Sequence, residues 1–390
     1  MRSFGAPRSV LALSFISWAF IAIAVLSISF ANPPANLIGG LLRFSVPAGM
    51  FFGALMLGML ADKHGRKLAW LISVSFFSVA SLLCCIGMLC IESNILFAAL
   101  CFLIGFGCGG GLPVISSFLA EHVKPSVRGS AIVVLESFWA IGTIAIALST
   151  LLIREVLLLP WQYVFVPASI AILLIPVIAK VGESPLYRKY VSEKKRIPLS
   201  EIFKRFTRVT VMLWISWFMI AFHYYGIFLW LPKFLQLQGF LQRTFTYIFI
   251  MALAQLPGYY SAAYLVEKIG RKLTLTIYFT LTGVFTFLFA YPTVIDPVTS
   301  AILLSFFSLG CWGAIYAYTP ELYPTGVRVS AFGYASSVAR IGALIATILP
   351  ALTISSIGYK PTIAIYAIAM IIPAPVIYAL GRETKGIELE

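Results

Sequence analysis

Charged side chains are scarce in this chain. Only 11% of its 390 residues are charged, and only 14 are Asp or Glu. A water-soluble domain carries about 25%, so a soluble enzyme or binding module is excluded. Metal ligands are few as well, with three histidines and six cysteines. Cys84, Cys85, Cys90, Cys101, Cys108 and Cys311 lie in or beside apolar runs and lack the spacing of a zinc site. They read as small buried side chains, and no metal or cofactor is expected. The glycine-rich stretch Gly105 to Gly111 lacks the Lys and Ser/Thr that complete a phosphate-binding loop. It falls inside an apolar run, where glycines let helices approach closely. An ATP-driven pump is therefore excluded, and no nucleophile triad points to an enzyme.

Long apolar runs are what the chain has in abundance, with 61% hydrophobic residues. Crossing a bilayer takes about 20 consecutive apolar residues as a helix. Twelve such runs can be read: 10–31, 38–60, 68–90, 96–119, 130–153, 161–180, 209–232, 244–266, 273–292, 298–319, 329–353 and 361–380. The expected class is an all-α membrane protein with twelve transmembrane helices. The first run is too long for a cleavable signal, has no small-residue cleavage site and leads into further spans.

The net charge of +14 could suggest nucleic acid, but its placement argues for a membrane. With both termini cytoplasmic, 22 of the 28 Lys and Arg residues fall in cytoplasmic segments. External loops hold only Arg154, Lys233, Arg243 and Lys360, and Arg43 and Arg340 lie within spans. This is the positive-inside pattern, and the basic excess faces an anionic inner leaflet. A multi-pass plasma-membrane protein with cytoplasmic termini is expected, with the lipid bilayer and not nucleic acid as its partner.

The chain also repeats itself. Gly58-Met-Leu-Ala-Asp62-Lys-His-Gly-Arg66-Lys67 returns in altered form as Ala263-Tyr-Leu-Val-Glu267-Lys-Ile-Gly-Arg271-Lys272, 205 residues later from Asp62 to Glu267. Glu121 and Arg128 recur 200 residues on as Glu321 and Arg328, and Glu183-Ser184-Pro185 is answered by Glu383-Thr384-Lys385. Three landmarks in one order predict two six-helix bundles, 1–182 and 209–390, the plan of many secondary transporters. Between them, 183–208 is the most polar stretch and is expected to form short amphipathic helices on the cytoplasmic surface.

At this point the sequence resembles the major facilitator superfamily. Gly58 to Lys67 is similar to its signature between helices 2 and 3. Further features narrow the resemblance: Ala120-Glu121 with Arg128-Gly129, Leu135-Glu136-Ser137-Phe138-Trp139 through Gly142, and Tyr224-Tyr225-Gly226. They continue with Tyr318-Thr319-Pro320-Glu321 through Arg328, Ala339-Arg340-Ile341-Gly342, and Gly381-Arg382-Glu383-Thr384-Lys385-Gly386. Together they are similar to the organic ion transporter and synaptic-vesicle-glycoprotein-like branch, with its prokaryotic metabolite transporters. The resemblance implies a monomer working by alternating access. It also implies that Asp62, Arg66, Glu121 and Arg128, with Glu267, Arg271, Glu321 and Arg328, latch a cytoplasmic gate. The alternative is a set of topology-fixing surface charges, each pair worth ~0–1 kcal/mol.

Charge inside the membrane costs on the order of 2.5 kcal/mol or more and marks function by default. Arg340 lies roughly 16 Å into the eleventh span at 1.5 Å per residue, near the midplane. Its position resembles the one that carries Arg in anion transporters of the branch and an acid in cation transporters. A planar guanidinium fits a carboxylate or sulfate, so the leading reading is a transporter of a small organic anion anchored by Arg340. The alternative is an Arg paired internally, with Glu136 or a carbonyl. Glu136, in the fifth span, reads either as a proton carrier or as a fixed counter-ion. His223 could titrate near neutrality or be a satisfied core residue. Arg43 reads as an interfacial side chain or part of an outer gate. Tyr224, Tyr225, Trp312, Tyr316 and Trp139 match cavity positions of the branch, and aromatic walls with one charge suit a flat organic ion.

One departure matters. Many proton-coupled relatives carry an acid in helix 1, where this chain has Phe20-Ile-Ala-Ile-Ala-Val-Leu26. Coupling through helix 1 is excluded, leaving symport through Glu136 or His223, uniport or exchange. The rival readings are a sugar or polyol porter, an organic cation porter, and a non-transporting membrane receptor. Against sugar, the mapped cavity positions hold few amides, with Gln255 the exception. Against a cation stands Arg340.

Overall fold

The computed structural model describes residues 5–30, 37–91, 93–193, 197–240 and 244–389, with backbone alone at 30, 37–43, 244–246, 248 and 249. Among them the chain is helical throughout. In order the long helices are α1 (Arg8–Phe30), α2 (Leu37–His64), α3 (Arg66–Cys90), α4 (Asn94–Ala120) and α5 (Arg128–Leu151). Then come α6 (Trp161–Ala179), α7 (Thr207–Phe228), α8 (Thr244–Lys268), α9 (Arg271–Ala290), α10 (Pro297–Glu321) and α11 (Arg328–Thr353), and α12 (Tyr359–Leu380). By length and composition eleven of these can cross a membrane on their described residues alone. The exception is α8, whose first turn is only partly described.

Local chemistry sets the helix ends. Ser93 caps α4 by accepting from Leu96 N at 3.3 Å. Asp296 caps α10 by accepting from Val298 and Thr299 N at 2.9 and 3.0 Å, with Pro297 at the first helical position, where its missing N–H costs nothing. The α6 span departs from the uniform helix expected. It alternates 3₁₀ turns (Trp161–Phe165, Ile170–Leu174) with short α-helical pieces (Val166–Ser169, Ile175–Ala179). Pro167 and Pro176 are the physical reason, since proline removes a ladder donor and crowds the preceding turn. Between α6 and α7 lie two short helices, Pro185–Ser192 and Glu201–Lys204. Three residues of this connection, Lys194, Lys195 and Arg196, lie outside the described set, as does the Arg43 side chain.

Glycines bring α2 and α4 into backbone contact. A Cβ on Gly49 or Gly53 of α2 would sit 2.0 or 1.9 Å from the carbonyl oxygen of Phe102 or Phe106. In return, a Cβ on Gly105 of α4 would sit 2.1 Å from Val46 O, and one on Gly109 2.3 Å from Met50 Cα. Both helices thus carry small residues at four-residue spacing on the facing side, the arrangement that drives close packing in membranes. The run that fails as a phosphate loop is this packing stripe.

Two further contacts join the first six helices to the last six. On one side α2 packs along α11, and on the other α5 packs along α8 and α10. The α2–α11 contact is again glycine-mediated: a Cβ on Gly333 would lie 2.1 Å from Ala54 O, and one on Gly58 2.8 Å from Val329 O.

The α2–α4 contact gives the first prediction. Gly53→Leu forces two backbones apart and is expected to cost about 1–3 kcal/mol or more, read as a lower thermal unfolding midpoint in detergent. Gly87→Ala in α3, where the nearest atom would be 3.7 Å away, should leave the midpoint unchanged or raise it. Equal loss in both variants would rule out the close-packing account.

Candidate functional site

At one end of the bundle the repeated acid–base residues gather into two mirrored clusters. In the first, Arg66 Nη2 lies 3.2 Å from both Asp62 Oδ1 and Glu121 Oε1. Glu121 Oε1 also receives Arg328 Nη1 at 2.6 Å, and its other oxygen accepts from the Ser184 hydroxyl. In the second, Arg271 reaches Glu267 Oε2 at 2.8 Å and Glu321 Oε2 at 3.0 Å. Thr384 Oγ1 donates to Glu321 Oε2 at 2.6 Å, and Arg128 Nη1 stands 3.8 Å from Glu321 Oε1. All eight residues expected to act together are in these clusters.

The hairpins are held by carboxylates from elsewhere in the chain. Gly65 and Gly270 turn α2 into α3 and α8 into α9 with φ of 109° and 95°, a region that favours glycine. Glu183 accepts from the amides of Arg66 and Lys67 at 3.2 and 3.1 Å. Glu383 accepts from those of Arg271 and Lys272 at 2.9 and 3.1 Å. Each is an anion at a helix N-terminus, where free N–H groups and the macrodipole favour it. The matched triplets Glu183-Ser184-Pro185 and Glu383-Thr384-Lys385 thus do one job twice.

Several of these bonds join the first six helices to the last six. Arg328 pairs with Glu121 and Arg128 with Glu321. Asp62 accepts from Val329 and Ser330 N at 3.3 and 2.7 Å, capping the start of α11. In the mirrored contact Glu267 accepts from Ser130 N, at the start of α5, at 2.9 Å. Arg66 also donates to Thr325 O at 2.5 Å. Asp62, Arg66, Glu121, Arg128, Arg271, Glu321 and Arg328 are buried, so these are not the solvated surface charges of the alternative reading. Burial pushes the Glu121 carboxyl up, but Arg66 and Arg328 outweigh it and hold it below its ordinary value.

Deeper in the bundle is a small cavity of about 50 Å³, below the ≈ 300–1,000 Å³ of typical small-molecule sites. Its walls include Arg340, Glu136, Trp139, Tyr224, Tyr225, Trp312 and Tyr316. The structure thus brings every substrate-binding residue read from the sequence to one space, with Glu136 among them. Among the described lining residues, Arg340 and Glu136 are the two that carry charge. Both are buried, 6% and 4% exposed. Arg340 Nη1 donates to Tyr225 Oη at a long 3.4 Å, while Arg340 Nε and Glu136 Oε1 have no hydrogen-bond partner among the described residues. Trp312 Nε1 is likewise unpartnered.

The walls are keyed by aromatic contacts. Trp217 packs edge-on against Tyr316 at 4.8 Å and Trp312 at 5.7 Å between ring centroids, and donates its Nε1–H to Thr319 at 3.0 Å. Trp18 of α1 meets Tyr316 edge-on at 5.4 Å. Sequence reasoning missed Trp18, Leu112, Tyr259 and Leu309 as lining residues and Trp217 as the buttress. In a chain with 15% aromatics, nothing local distinguishes them. His223 is placed elsewhere: buried, off the cavity walls, with Nε2 2.8 Å from Thr286 Oγ1 of α9. Gln255 is also not on the walls, and its Nε2 lies 3.4 Å from Ser305 Oγ.

A helical membrane bundle with a charged, aromatic cavity between two sets of six helices, sealed at one end, is the architecture of a carrier for small molecules. The profile of the Major Facilitator Superfamily matches residues 9–314 and 248–388, and the chain belongs to that family of transporters. It is 37% identical to NiaP of Bacillus subtilis, a candidate niacin/nicotinamide transporter, over 98% of both chains. It is 35% identical to the niacin transporter NiaP of Acinetobacter baylyi, over 88% of this chain and 84% of that one. Among solved structures, the proton:xylose symporter XylE superposes with a TM-score of 0.80 at 16% identity, over 98% of this chain and 97% of that one. The human organic anion transporter MFSD10 superposes with a TM-score of 0.74 at 15% identity, over 95% and 99%. At such identities the two structures speak for the fold alone.

The charge network yields a stability prediction. Glu121→Gln leaves the buried guanidiniums of Arg66 and Arg328 facing each other without their shared carboxylate. Removing one member of a buried pair costs about 3–5 kcal/mol, so the thermal midpoint should fall sharply. The depressed carboxyl also fixes a sign. Its contribution is complete at neutral pH and is lost as pH falls through the lowered value. The stability difference between wild type and Glu121→Gln is expected to be constant down to the ordinary glutamate range and to shrink below it.

Proposed function

We propose that the protein carries a small aromatic organic anion of the pyridine-carboxylate class across the plasma membrane by alternating access, with Arg340 as anchor. One observation carries this reading: the buried Arg340 presents an unpartnered Nε–H at an aromatic-walled cavity in the middle of α11. A guanidinium pairs bidentately with a carboxylate, and Trp312, Tyr316 and Tyr224 offer faces for a flat ring. The names of the two bacterial relatives supply the chemical class, and nicotinate is its simplest member.

The charge placement puts the ion-pair end and both termini at the cytoplasm. The mirrored clusters are then the closed inner gate of an outward-facing or occluded state. Opening inward separates Arg328 from Glu121 and frees the start of α11 from Asp62, while the α2–α11 contact hinges. Residues 1–182 and 209–390 move as the two bodies, tethered by 183–208. Of the two proton candidates, Glu136 alone faces the cavity, and symport of a proton would run through it.

Thermal stability of the purified protein against a panel of organic anions, cations and sugars tests the substrate class. A ligand at 100 times its dissociation constant stabilises by about 2.7 kcal/mol. Nicotinate should raise the midpoint and enter proteoliposomes, and Arg340→Ala should abolish both. Stabilisation by sugars or cations, or an undiminished nicotinate shift in Arg340→Ala, would falsify the assignment. For the gate, Asp62→Asn should shift the resting population toward the inward-open state. Spin-label distances between the inner ends of α2 and α11 that match wild type would refute it.

A further inference from the structure

Two buried charges face one cavity, yet they are not in ion-pair contact. Among the described residues Glu136 Oε1 has no hydrogen-bond partner, and neither has Arg340 Nε. Elsewhere in this protein buried carboxylates and guanidiniums find each other at 2.6 to 3.8 Å. The cavity pair is the exception. The two residues also come from opposite halves, Glu136 from α5 and Arg340 from α11, which the internal repeat makes equivalent helices. Glu136 follows Arg128 by eight residues and Arg340 follows Arg328 by twelve. Equivalent helices then place them one turn apart in depth, about 6 Å at 1.5 Å per residue.

We propose that Glu136 is the second pole of the substrate site. It binds the ring nitrogen of a heteroaromatic carboxylate through one shared proton, while Arg340 holds the carboxylate. The proton sits either on the Glu136 carboxyl, donating to the ring nitrogen, or on the ring nitrogen, donating to the carboxylate. Both forms hold the same atoms and total charge, so a nicotinate anion enters together with one proton. A ligand held at both poles ties α5 to α11 and draws the halves together. The other ionisable groups around Glu136 are Arg340 of α11, Tyr316 of α10, Tyr259 of α8, and Tyr224 and Tyr225 of α7. From α1 and α4 the lining residues are Trp18 and Leu112. None of these is a second carboxylate.

This inference rests on the pyridine-carboxylate reading, and the test separates the two. Nicotinate and benzoate differ at the ring nitrogen alone. Their dissociation constants are measured by calorimetry on wild type, Glu136→Leu and Glu136→Gln across a range of pH. A hydrogen bond to a charged group predicts that wild type prefers nicotinate by about tenfold or more. That preference fades as pH rises, because the pair loses its proton and two lone pairs then face each other. In Glu136→Leu the preference collapses toward unity at every pH. In Glu136→Gln it persists without the pH dependence, since an amide N–H donates without titrating. If wild type binds both ligands equally through Arg340, Glu136 is not a substrate contact and the anion reading stands. If wild type binds neither, the anion reading itself fails and this inference with it. Should Glu136→Leu not fold, the wild-type preference, its pH dependence and the Glu136→Gln profile decide the matter.

Discussion

An ion buried in an apolar bundle must be paired or neutralised, and the architecture follows from that constraint. The isolated cost of burying a guanidinium or carboxylate is several kcal/mol even after relaxation. At one end of this molecule seven of eight clustered charges are buried. They are tolerable because each carboxylate meets more than one donor and several donors come from the opposite half. The pairing that makes burial affordable therefore also fastens the two halves. Partial separation of such contacts would leave charges both desolvated and unpaired, which is the physical ground for the proposed gate.

The same physics gives the cavity its opposite character. There a guanidinium and a carboxylate share a space without touching, and Arg340 Nε, Glu136 Oε1 and Trp312 Nε1 lack partners among the described residues. Aromatic rings line the same space as its walls. Trp217, Trp312 and Tyr316 interlock edge to face, which limits collapse of the wall onto the charges. Unmet hydrogen-bonding capacity held by a stiff frame is what preorganised recognition requires.

Much of this was legible in the sequence because membrane burial makes charge conspicuous. The twelve spans, the paired landmarks 200 residues apart and the eight clustered charges all rest on polar residues standing out against an apolar background. Arg340 and Glu136 were visible for the same reason. What was not visible has the converse cause. Trp18, Tyr259 and Trp217 are aromatic residues among many, and burial gives them no distinctive spacing. Whether Arg340 and Glu136 pair with each other depends on a depth offset between helices that no local pattern encodes. His223 could not be placed for a similar reason. Its Thr286 partner lies 63 residues away on a helix whose rotation the sequence leaves open. The broken course of α6 was announced by Pro167 and Pro176, and an apolar count alone passes over them.

The internal repeat finally separates two kinds of charge. The residues of the ion-pair clusters obey it: Glu121 with Glu321, Arg128 with Arg328, Ser184 with Thr384. The residues that face the cavity break it. Shifted by 200, Glu136 corresponds to Ser336 and Arg340 to Ala140. If the two sets of six helices close on each other as proposed, a closure shared by two equivalent bodies calls for the same contacts from each. A small aromatic acid has no such symmetry, and a site for it needs different chemistry at each end. Duplicated charge in this fold therefore points to the machinery of movement. Charge that stands alone against its counterpart points to what is moved.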